Sequence, residues 1–432
     1  MKTSLKVFKF GGASLRDADS VRNVANILKG YKAEHLLIVV SAMGKTTDAL
    51  ERVVEAHANK TGKAAELLEI VKKQHYDMCQ ALFGEKHEVY ASVNDTFVEI
   101  EWILDEEPHH NYDYMYDQIV SVGELVSSKI VHAFLNQEGM PTQWLDARDV
   151  ILTDEIYREG WVQWAETEAR YEKTAKPMFE KGGFVITQGF IGSTKDNETT
   201  TLGREGSDYT AAIFSYLADA ESMTIWKDVP GVLTADPRVF DNVAKLDRLS
   251  YREAIEMTYY GAKVIHPKTI KPLQNKSIPL NVKSFKDPEA EGTLIAGDVE
   301  DLYPPMVALE QNQALLHIST RDFSFVAEHH ISYLFNFIAE MRIQVNMMQN
   351  TAISFVMCVN DTDDKVDRFI EKINDTFKVL LDRDLELITV RHYRNDLLEN
   401  LKEDKIVMME ERIPNTVQMV VKRVPLMRRK SS

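Results

Sequence analysis

Short apolar runs alternate with helical patterns from residue 5 to about residue 285. The main runs are VFKF at 7–10, HLLIVV at 35–40, GGFVITQGFIG at 182–192, SMTIWKDVPGV at 222–232 and IPLNVKS at 278–284. Continuous apolar runs of this length are typical of parallel strands whose two faces are both covered by helices. Residues 49–138 have largely helical patterns. The sequence therefore predicts an α/β fold with a mainly parallel sheet.

Composition bounds what the chain can bind. Its 432 residues include 51 basic and 67 acidic ones, for a net charge of −16. This acidic balance argues against a nucleic-acid partner, because such affinity comes mainly from Lys and Arg on phosphates. No segment has the pattern of a signal peptide or of a membrane span, so no membrane partner is expected. The two cysteines, Cys79 and Cys358, are far apart, and a reducing cytoplasm is the expected location.

The composition changes near AGDVEDLYPPM at 296–306, where glycine, acids and two prolines cluster. Such a cluster indicates a linker. Beyond it the pattern is strand, helix, strand, strand, helix, strand, with helices expected at 331–342 and 364–380, and a shorter set follows. These patterns predict one or two small α+β modules. We interpret them as regulatory, because they contain no clustered nucleophile or acid–base pair.

The stretch KFGGAS joins the first strand to the first helix. Gly11 and Gly12 lack a Cβ, so their backbone amides can approach an oxyanion closely. Lys9 could point at the same phosphate, and Ser14 could add a hydroxyl. Such sites are common where parallel strands end and helices begin. On these residues alone, a tight turn with an incidental lysine is an equally good interpretation.

A second polar constellation is TTTLGREGSDYTAAI at 199–213. A helix is expected to begin at about Ser207, which is a natural N-cap. Arg204 precedes that start and suits a carboxylate or a phosphate. Asp208 in the first turn could be no more than an acid favoured by the helix dipole. The density of polar residues directly after a buried strand favours a binding loop.

Glu124 lies in an apolar helical pattern, where a carboxylate needs a partner. That partner could be a structural lysine or arginine, or the ammonium group of a ligand. Asp228 and Arg238 fall in a loop after a strand, and Lys263 stands beside a glycine. Each of these three is a weak signal alone.

Seven blocks together resemble the aspartate kinases of the amino-acid kinase family. They are KFGGAS, SAMGKTT, VGELVSS, TQGFIG, TLGREGSDYTA, DVPGVLTADPR and GAKVIHP, in the family's order and spacing. The resemblance implies an αβα sandwich for a catalytic domain at 1–296. It implies a regulatory region at 297–432 with two ferredoxin-like ACT modules, one at about 314–383 inserted into a second formed by 300–313 and 384–425. A homodimer, or a higher oligomer, through the ACT modules is expected.

The resemblance also implies a reaction, the ATP-dependent phosphorylation of L-aspartate to 4-phospho-L-aspartate with Mg²⁺. This is the first step toward lysine, threonine and methionine. The implied catalytic residues are Lys9, Asp208 and Lys263. The implied ATP-binding residues are Lys9, Gly11, Gly12, Ser14, Lys227, Asp228, Arg238 and Lys263. The implied aspartate-binding residues are Ser41, Thr47, Glu124, Phe190, Arg204, Ser207 and Asp208. The implied effector-binding residues are Ser319, Asn346, Asn350 and Thr351. No metal ligand is assigned.

Four positions depart from the family pattern. Ala13 stands where the family has Thr, Glu205 where it has Gly, Lys227 where it has Thr, and Asn346 where it has an effector-binding Asp. Glu205 is expected to point to solvent. These departures leave the effector open between lysine, threonine and none. Two alternatives to an active aspartate kinase also stay open: a kinase for another acceptor, and an amino-acid sensor that binds ATP without turnover.

Overall fold

The computed structural model describes residues 5–32, 34–261, 265–297, 299, 302–321, 325, 327–362 and 364–424. Lys263 and the end of the chain lie outside the described residues. The chain divides into two compact units. The first comprises Met1–Val232, Lys245–Ile255 and Val264–Asp301, and the second comprises Leu233–Ala244, Glu256–Lys263 and Leu302–Ser432.

The strands before residue 300 are β1 (Leu5–Phe10), β2 (His35–Val40), β3 (Thr142–Leu145), β4 (Phe184–Gln188), β5 (Ile191–Ser193), β6 (Thr199–Thr201), β7 (Ser222–Lys227), β8 (Val232–Leu233), β9 (Lys245–Leu246), β10 (Arg248–Ser250), β11 (Leu280–Ser284) and β12 (Thr293–Ala296). The α-helices of this part are α1 (Ala18–Lys29), α2 (Thr46–Ala58), α3 (Ala64–Phe83), α4 (Val89–Asp105), α5 (Tyr112–Val120), α6 (Val122–Gln137), α7 (Trp164–Thr174), α8 (Lys176–Glu180), α9 (Gly206–Leu217), α10 (Tyr251–Tyr259) and α11 (Pro267–Asn275). Two short 3₁₀ helices span Gly12–Leu15 and Ala147–Asp149.

Eight of these strands form one sheet in the order β10-β12-β11-β7-β1-β2-β4-β3. All neighbours in it are parallel except β11 and β12. The first strand of the chain therefore lies inside the sheet, between β2 and β7. Its side chains and those of β2 are nearly all buried, which is why both strands read as continuous apolar runs. The predicted α/β fold is confirmed.

Helices α2 to α6 occupy the region that the sequence predicts to be largely helical. Their apolar faces pack with strand residues such as Phe8, Leu36 and Ile38 into one large core. Helix α6 is buried over most of its length. Burial on nearly all sides explains why Glu124, in its first turn, is surrounded by apolar positions in the sequence.

The second unit contains one six-stranded antiparallel sheet in the order β14-β15-β13-β16-β18-β17. Its strands are β13 (Met306–Thr320), β14 (Val345–Asn350), β15 (Ser354–Asn360), β16 (Phe377–Arg391), β17 (Lys405–Ile413) and β18 (Thr416–Arg423). Its further helices are α12 (Glu328–Glu340), α13 (Lys365–Ile373) and α14 (Asn395–Lys402). The predicted α+β architecture of this region is confirmed, whereas its module boundaries stay a prediction.

One predicted element of the second unit is wrong. The helix expected at 364–380 ends at Ile373, and Phe377 already begins the 15-residue strand β16. Phe377 is fully buried, whereas Leu380 is 60% exposed. The stretch from 377 therefore alternates in and out as a strand does, and pairing with β13 fixes it in that form.

Candidate active site

The loops after β1 and β2 are joined at the carboxyl edge of the sheet. The Ser41 amide donates to the Phe10 carbonyl oxygen (3.1 Å), and the Gly44 amide donates to the Gly12 carbonyl oxygen (3.0 Å). A Cβ on Gly12 would lie 2.9 Å from the carbonyl oxygens of both Ala42 and Gly44. Only glycine therefore allows this close approach of the two loops.

Three charged side chains meet beside this turn. Lys9 Nζ lies 2.6 Å from Asp208 Oδ1, and Lys227 Nζ lies 4.0 Å from Asp208 Oδ2. Lys9 and Asp208 are both buried. Burial alone would raise the pKa of Asp208, but the two ammonium groups lower it below its ordinary value. The sequence singles out all three residues, and the structure brings them together as two cations around one carboxylate.

The helix that carries Asp208 begins differently from the prediction. Helix α9 starts at Gly206, and Glu205 occupies the N-cap position with a left-handed backbone (φ 54°) and no side-chain cap. Ser207 is therefore inside the helix and does not cap it. Glu205 is not directed to solvent as predicted, because its Oε2 is buried. The left-handed backbone gives a physical reason for glycine at this position.

Phe190 lies where the chain leaves β4, and Ser207 lies opposite this loop in the first turn of α9. A Cβ on Gly189 would be 2.4 Å from the Ser207 Cβ, so α9 packs directly on the loop after β4. The Phe190 amide donates to Thr210 Oγ1 (2.9 Å), which fixes this loop to the first turns of α9. The Gly189 amide in turn donates to the Val40 carbonyl oxygen (2.8 Å). The ends of β1, β2 and β4 thus form one connected edge.

Glu124 is buried, with 3% of its surface exposed. Its Oε1 accepts a long hydrogen bond from the Ala42 amide (3.4 Å), whereas its Oε2 has no hydrogen-bond partner among the described residues. Burial raises the pKa of Glu124 to about 8, although the Ala42 amide and the Lys9 charge oppose this shift. Neither oxygen of Glu124 accepts a hydrogen bond from a lysine or arginine among the described residues, so the structure does not support the structural ion pair that the sequence left open.

The other predicted substrate residues are less buried. Ser41 and Thr47 are half-buried, and Arg204 is exposed just before α9. The Ser41 carbonyl oxygen accepts from Ser127 Oγ (2.7 Å), which ties the loop after β2 to α6. Ser14 is buried in the 3₁₀ turn, where its amide donates to the Gly11 carbonyl oxygen (2.9 Å).

The predicted nucleotide residues are dispersed between the two units. Lys227 ends β7, and Asp228 follows it at an exposed position in the first unit. Arg238 belongs to the second unit, where its guanidinium contacts Asp236 (2.7 Å). Lys263 lies outside the described residues.

The four predicted effector residues fall at two places on the second sheet. Ser319 lies opposite Ser354, whose hydroxyl contacts Thr351 (2.7 Å), and Asn350 is the neighbouring residue. Asn346 lies four residues away along β14, about 13 Å at the usual rise of a strand. The structure therefore brings Ser319 and Thr351 near one another, but not Asn346.

Two titratable groups of the first unit, one buried and one half-buried, were not predicted from the sequence. Asp117 is fully buried and accepts hydrogen bonds from the Thr201 hydroxyl (2.7 Å) and from the amides of Thr201 and Arg158 (2.9 Å each). Burial raises its pKa to about 6. His266 caps α11, and burial lowers the pKa of its ring. The signal for Asp117 was an acid within the apolar pattern YMYDQIV, and that for His266 was its place directly before a proline.

The described residues lack two kinds of feature. They contain no group of three or more His, Cys, Asp or Glu side chains arranged to hold a metal ion. Among the same residues, no helix has the length and apolar character required to cross a membrane.

Comparison with known proteins places this chain in a family. The model of the amino acid kinase family matches residues 4–284. The chain is 32% identical over 367 residues to lysine-sensitive aspartokinase 3 of Escherichia coli K12, covering 83% of this chain and 79% of that protein. The chain is an aspartate kinase of the amino-acid kinase family. The kinase is also 31% identical over 390 residues to a chloroplastic bifunctional aspartokinase/homoserine dehydrogenase of Arabidopsis thaliana, of which it spans 42%.

The fold of the whole kinase agrees with this assignment. It superposes on E. coli aspartokinase III, solved in complex with aspartate and ADP, with a TM-score of 0.83 and 27% identity over 96% of both chains. Aspartokinase III in complex with lysine and aspartate gives a TM-score of 0.80. The aspartate kinase from Clostridium acetobutylicum, 22% identical, shares the fold with a TM-score of 0.72.

Proposed function

We propose that this kinase transfers the γ-phosphoryl group of ATP to the side-chain carboxylate of L-aspartate, forming 4-phospho-L-aspartate at the turn after β1. The observation that carries this proposal is the buried cluster in which Lys9 and Lys227 surround Asp208. The aspartate and ADP bound by the E. coli relative support the same pair of substrates here.

The chemistry requires charge neutralisation more than proton transfer. The side chain of aspartate has a pKa of about 3.9 in water, so the nucleophile is already ionised at neutral pH. It must approach a phosphate that is also negative. Two unit charges 4 Å apart repel by roughly 4 kcal/mol at an effective dielectric constant of 20. Lys9 and the amides of Gly11 and Gly12 would offset this repulsion and orient the transferring group.

We assign the recognition of aspartate to groups on both sides of this turn. Glu124, whose Oε2 has no hydrogen-bond partner in the described part of the chain, suits the substrate ammonium. Arg204 suits the α-carboxylate, because a guanidinium can donate two parallel hydrogen bonds to it. Asp208 would contribute to the ammonium site mainly through its charge, since it is already engaged by Lys9. Ser41, Thr47, Phe190 and Ser207 would complete the pocket.

We assign ATP to the turn after β1 and to the loop after β7, with Ser14, Lys227, Asp228, Arg238 and Lys263 as further contacts. Mg²⁺ would accompany the ATP phosphates and neutralise their developing charge. Such an ion usually takes only one or two carboxylates from the protein and fills its other positions with phosphate oxygens and water. Because Asp208 is engaged by Lys9, phosphate oxygens and water would supply most of the ligands of this ion here.

We further propose that residues 297–432 form the regulatory region and mediate oligomerisation, and that the effector response differs from that of the lysine-sensitive relative. Asn346 supports this difference. Its Nδ2 donates to Gln313 Oε1 (2.8 Å) and Asn360 Oδ1 (2.7 Å), so it is engaged within the sheet. An amide also lacks the charge that would attract a lysine ammonium.

The test is an assay that traps acyl phosphate with hydroxylamine, with aspartate, glutamate and acetylglutamate as acceptors. We expect product with aspartate and a loss of orders of magnitude in Lys9→Ala. Lys6→Ala is the matched control, because Lys6 lies on the same strand and pairs with Glu34. Binding of ATP without product from any acceptor would refute the proposed reaction.

A further inference from the structure

The strand β6 ends at Thr201, three residues before Arg204, the proposed contact for the α-carboxylate of aspartate. Arg204 is exposed and directly precedes the N-cap of α9. Between the two, the Leu202 amide donates to the Phe190 carbonyl oxygen (2.8 Å), and Gly203 has a positive φ of 78°. The place from which Arg204 extends therefore depends on what holds the end of β6.

A buried carboxylate of α5 holds this strand end. Asp117 Oδ2 accepts hydrogen bonds from the amides of Thr201 and Arg158 (2.9 Å each), and Asp117 Oδ1 accepts one from the Thr201 hydroxyl (2.7 Å). The Thr201 carbonyl oxygen accepts from the Gly160 amide (2.8 Å). Every polar group of Thr201 is thus engaged within the first unit, and Asp117 takes both of its donors. Because Asp117 is 0% exposed, water cannot replace these bonds.

The same carboxylate holds the loop that packs against Gly203. A Cβ on Gly203 would lie 3.2 Å from Glu159 Cγ and 3.3 Å from the Arg158 carbonyl oxygen. The Arg158 guanidinium carbon lies 4.1 Å from the centre of the Tyr116 ring, which is the neighbour of Asp117 on α5. Asp117 therefore fixes both the strand that leads to Gly203 and the loop against which Gly203 packs.

We propose that Asp117 is a positioning residue for aspartate recognition, which acts by fixing the end of β6 and thereby the backbone from which Arg204 extends. Both Asp117 oxygens are occupied by groups of the protein, so it acts through Arg204 and not by touching the substrate. This inference rests on the proposed contact of Arg204 with aspartate.

The expected kinetic signature is selective. Asp117→Ala removes all three hydrogen bonds, so the end of β6 loses its fixed position. The KM for aspartate should rise about tenfold, the loss of about one good interaction. The KM for ATP should stay within about twofold, because the turn after β1 lies on another element.

The conservative variant Asp117→Asn should rescue the KM for aspartate. Its carbonyl oxygen can accept from both amides, and the Thr201 hydroxyl can turn to accept from the new amide group. The KM for aspartate should therefore stay within about threefold of the wild type. A tenfold rise in Asp117→Asn as well would contradict a role based on these hydrogen bonds.

A double-mutant cycle tests whether Asp117 acts through Arg204. Arg204→Ala should raise the KM for aspartate about a hundredfold, because it removes a charged pair of hydrogen bonds. Adding Asp117→Ala should raise it by no more than about twofold further, since no guanidinium is left to position. Effects that multiply in the double variant would show that Asp117 acts by another route, and would refute the inference.

Two more variants separate positioning from a general loss of stability. Thr201→Val removes only the hydroxyl donor and should raise the KM for aspartate about threefold, so it tests the contact even if Asp117→Ala does not fold. Thr96→Ala is the matched control on α4. Thr96 is also buried, and its hydroxyl donates to the Ser92 carbonyl oxygen and accepts from Lys129 (2.7 Å each). It should lower the melting temperature without changing either KM.

Arg204→Ala alone distinguishes the two ways in which the inference can fail. If Arg204→Ala raises the KM for aspartate but neither Thr201→Val nor folded Asp117→Ala does, the positioning role is refuted and the proposed substrate contact stands. If Arg204→Ala leaves the KM for aspartate unchanged, the contact on which this inference rests is itself refuted. A parallel rise in the KM values of both substrates in Asp117→Ala would also overturn the inference, because it would indicate a general loss of structure.

Discussion

Replacing Glu124 by Gln should stabilise the ligand-free kinase. Burial raises the pKa of this carboxyl group from 4.5 to about 8. At pH 7 it is therefore mostly protonated in the folded state but ionised in the unfolded state. The difference of 2.5 pH units between 4.5 and 7 corresponds to about 3 kcal/mol, at 1.36 kcal/mol per unit. A glutamine of similar shape does not have this cost.

The sign of the effect is fixed by proton binding. A raised carboxyl pKa means that the folded state binds more protons than the unfolded state, so wild-type stability falls as the pH rises from 4.5 to about 8. The stability gain of Glu124→Gln should therefore be small near pH 5, about 1 kcal/mol, and grow to about 3 kcal/mol at pH 7. Beyond pH 8 it should reach a plateau.

Thermal unfolding of both proteins without ligands, between pH 5 and pH 8.5, measures this gain. Glu66→Gln is the matched control, because Glu66 is an exposed residue of α3 and its variant should track the wild type at every pH. A difference between Glu124→Gln and the wild type that does not change with pH, or a less stable variant at pH 7, would refute the argument.

The same carboxyl group predicts proton release on substrate binding. An ammonium group 4 Å away favours the ionised form by roughly 4 kcal/mol at an effective dielectric constant of 20. Ionising Glu124 at pH 7 costs only about 1.4 kcal/mol, one unit below its pKa. Aspartate binding should therefore release nearly one proton per site at pH 7, measured by calorimetry in buffers of different ionisation enthalpy. Glu124→Gln should release none and should bind aspartate about a hundredfold more weakly.

Four further changes have defined outcomes. Lys9→Ala should destabilise the protein by about 3 kcal/mol, because it leaves the buried Asp208 carboxylate without its nearest cation and with Lys227 at 4.0 Å. Adding Asp208→Asn should restore stability in thermal unfolding but not activity. Gly12→Ala should raise the KM for ATP in steady-state kinetics, because the new Cβ would displace the joined loops at 2.9 Å. Glu205→Gly should stabilise by about 1 kcal/mol in thermal unfolding, because it relieves a left-handed non-glycine backbone. Asn346→Asp should destabilise the protein by about 1 kcal/mol, because the Asn346 amide lies 3.5 Å from the Glu310 carboxylate and would be replaced by a second acid. The same change should make lysine inhibition stronger, because it supplies a charge that attracts the lysine ammonium.

Controls keep these outcomes interpretable. Glu155→Gly changes an exposed loop residue and should not stabilise the protein, whereas equal gains from it and from Glu205→Gly would remove the argument from backbone strain. Ala13→Gly alters the same loop as Gly12 without adding an atom and should leave the KM for ATP nearly unchanged. Lysine inhibition that is identical in Asn346→Asp and the wild type would separate this residue from the effector response.

The sequence predicted the parallel strands well, because β1, β2, β4 and β7 are buried on both faces and their apolar runs have few competing interpretations. It also singled out Lys9 and Asp208 separately. It could not predict their ion pair, because the two residues are 199 positions apart and no local pattern encodes that contact. The burial of Glu205 was missed for a similar reason, since a loop's orientation depends on what packs around it.

The strand β16 shows where local patterns fail. Phe377, Leu380 and Leu381 have a spacing that fits a helix, which extended the predicted helix to residue 380. The alternation of Phe377, Val379 and Leu381 was also present, but only the 15-residue partner β13 makes that choice decisive. Asp117 was overlooked although it carries the same signal as Glu124, a single acid within an apolar helical pattern.

The interleaving of the two units has a practical consequence for dissecting this kinase. Residues 233–244 lie in the chain between two parts of the first unit, but they belong to the second unit. There the Thr234 carbonyl oxygen accepts a hydrogen bond from the Val307 amide (2.8 Å). A fragment ending at residue 296 would carry this stretch and residues 256–261 without the strands they pack on. No single cut yields two intact halves, so an expressed N-terminal fragment should aggregate or lose nucleotide affinity unless both excursions are redesigned as short polar loops.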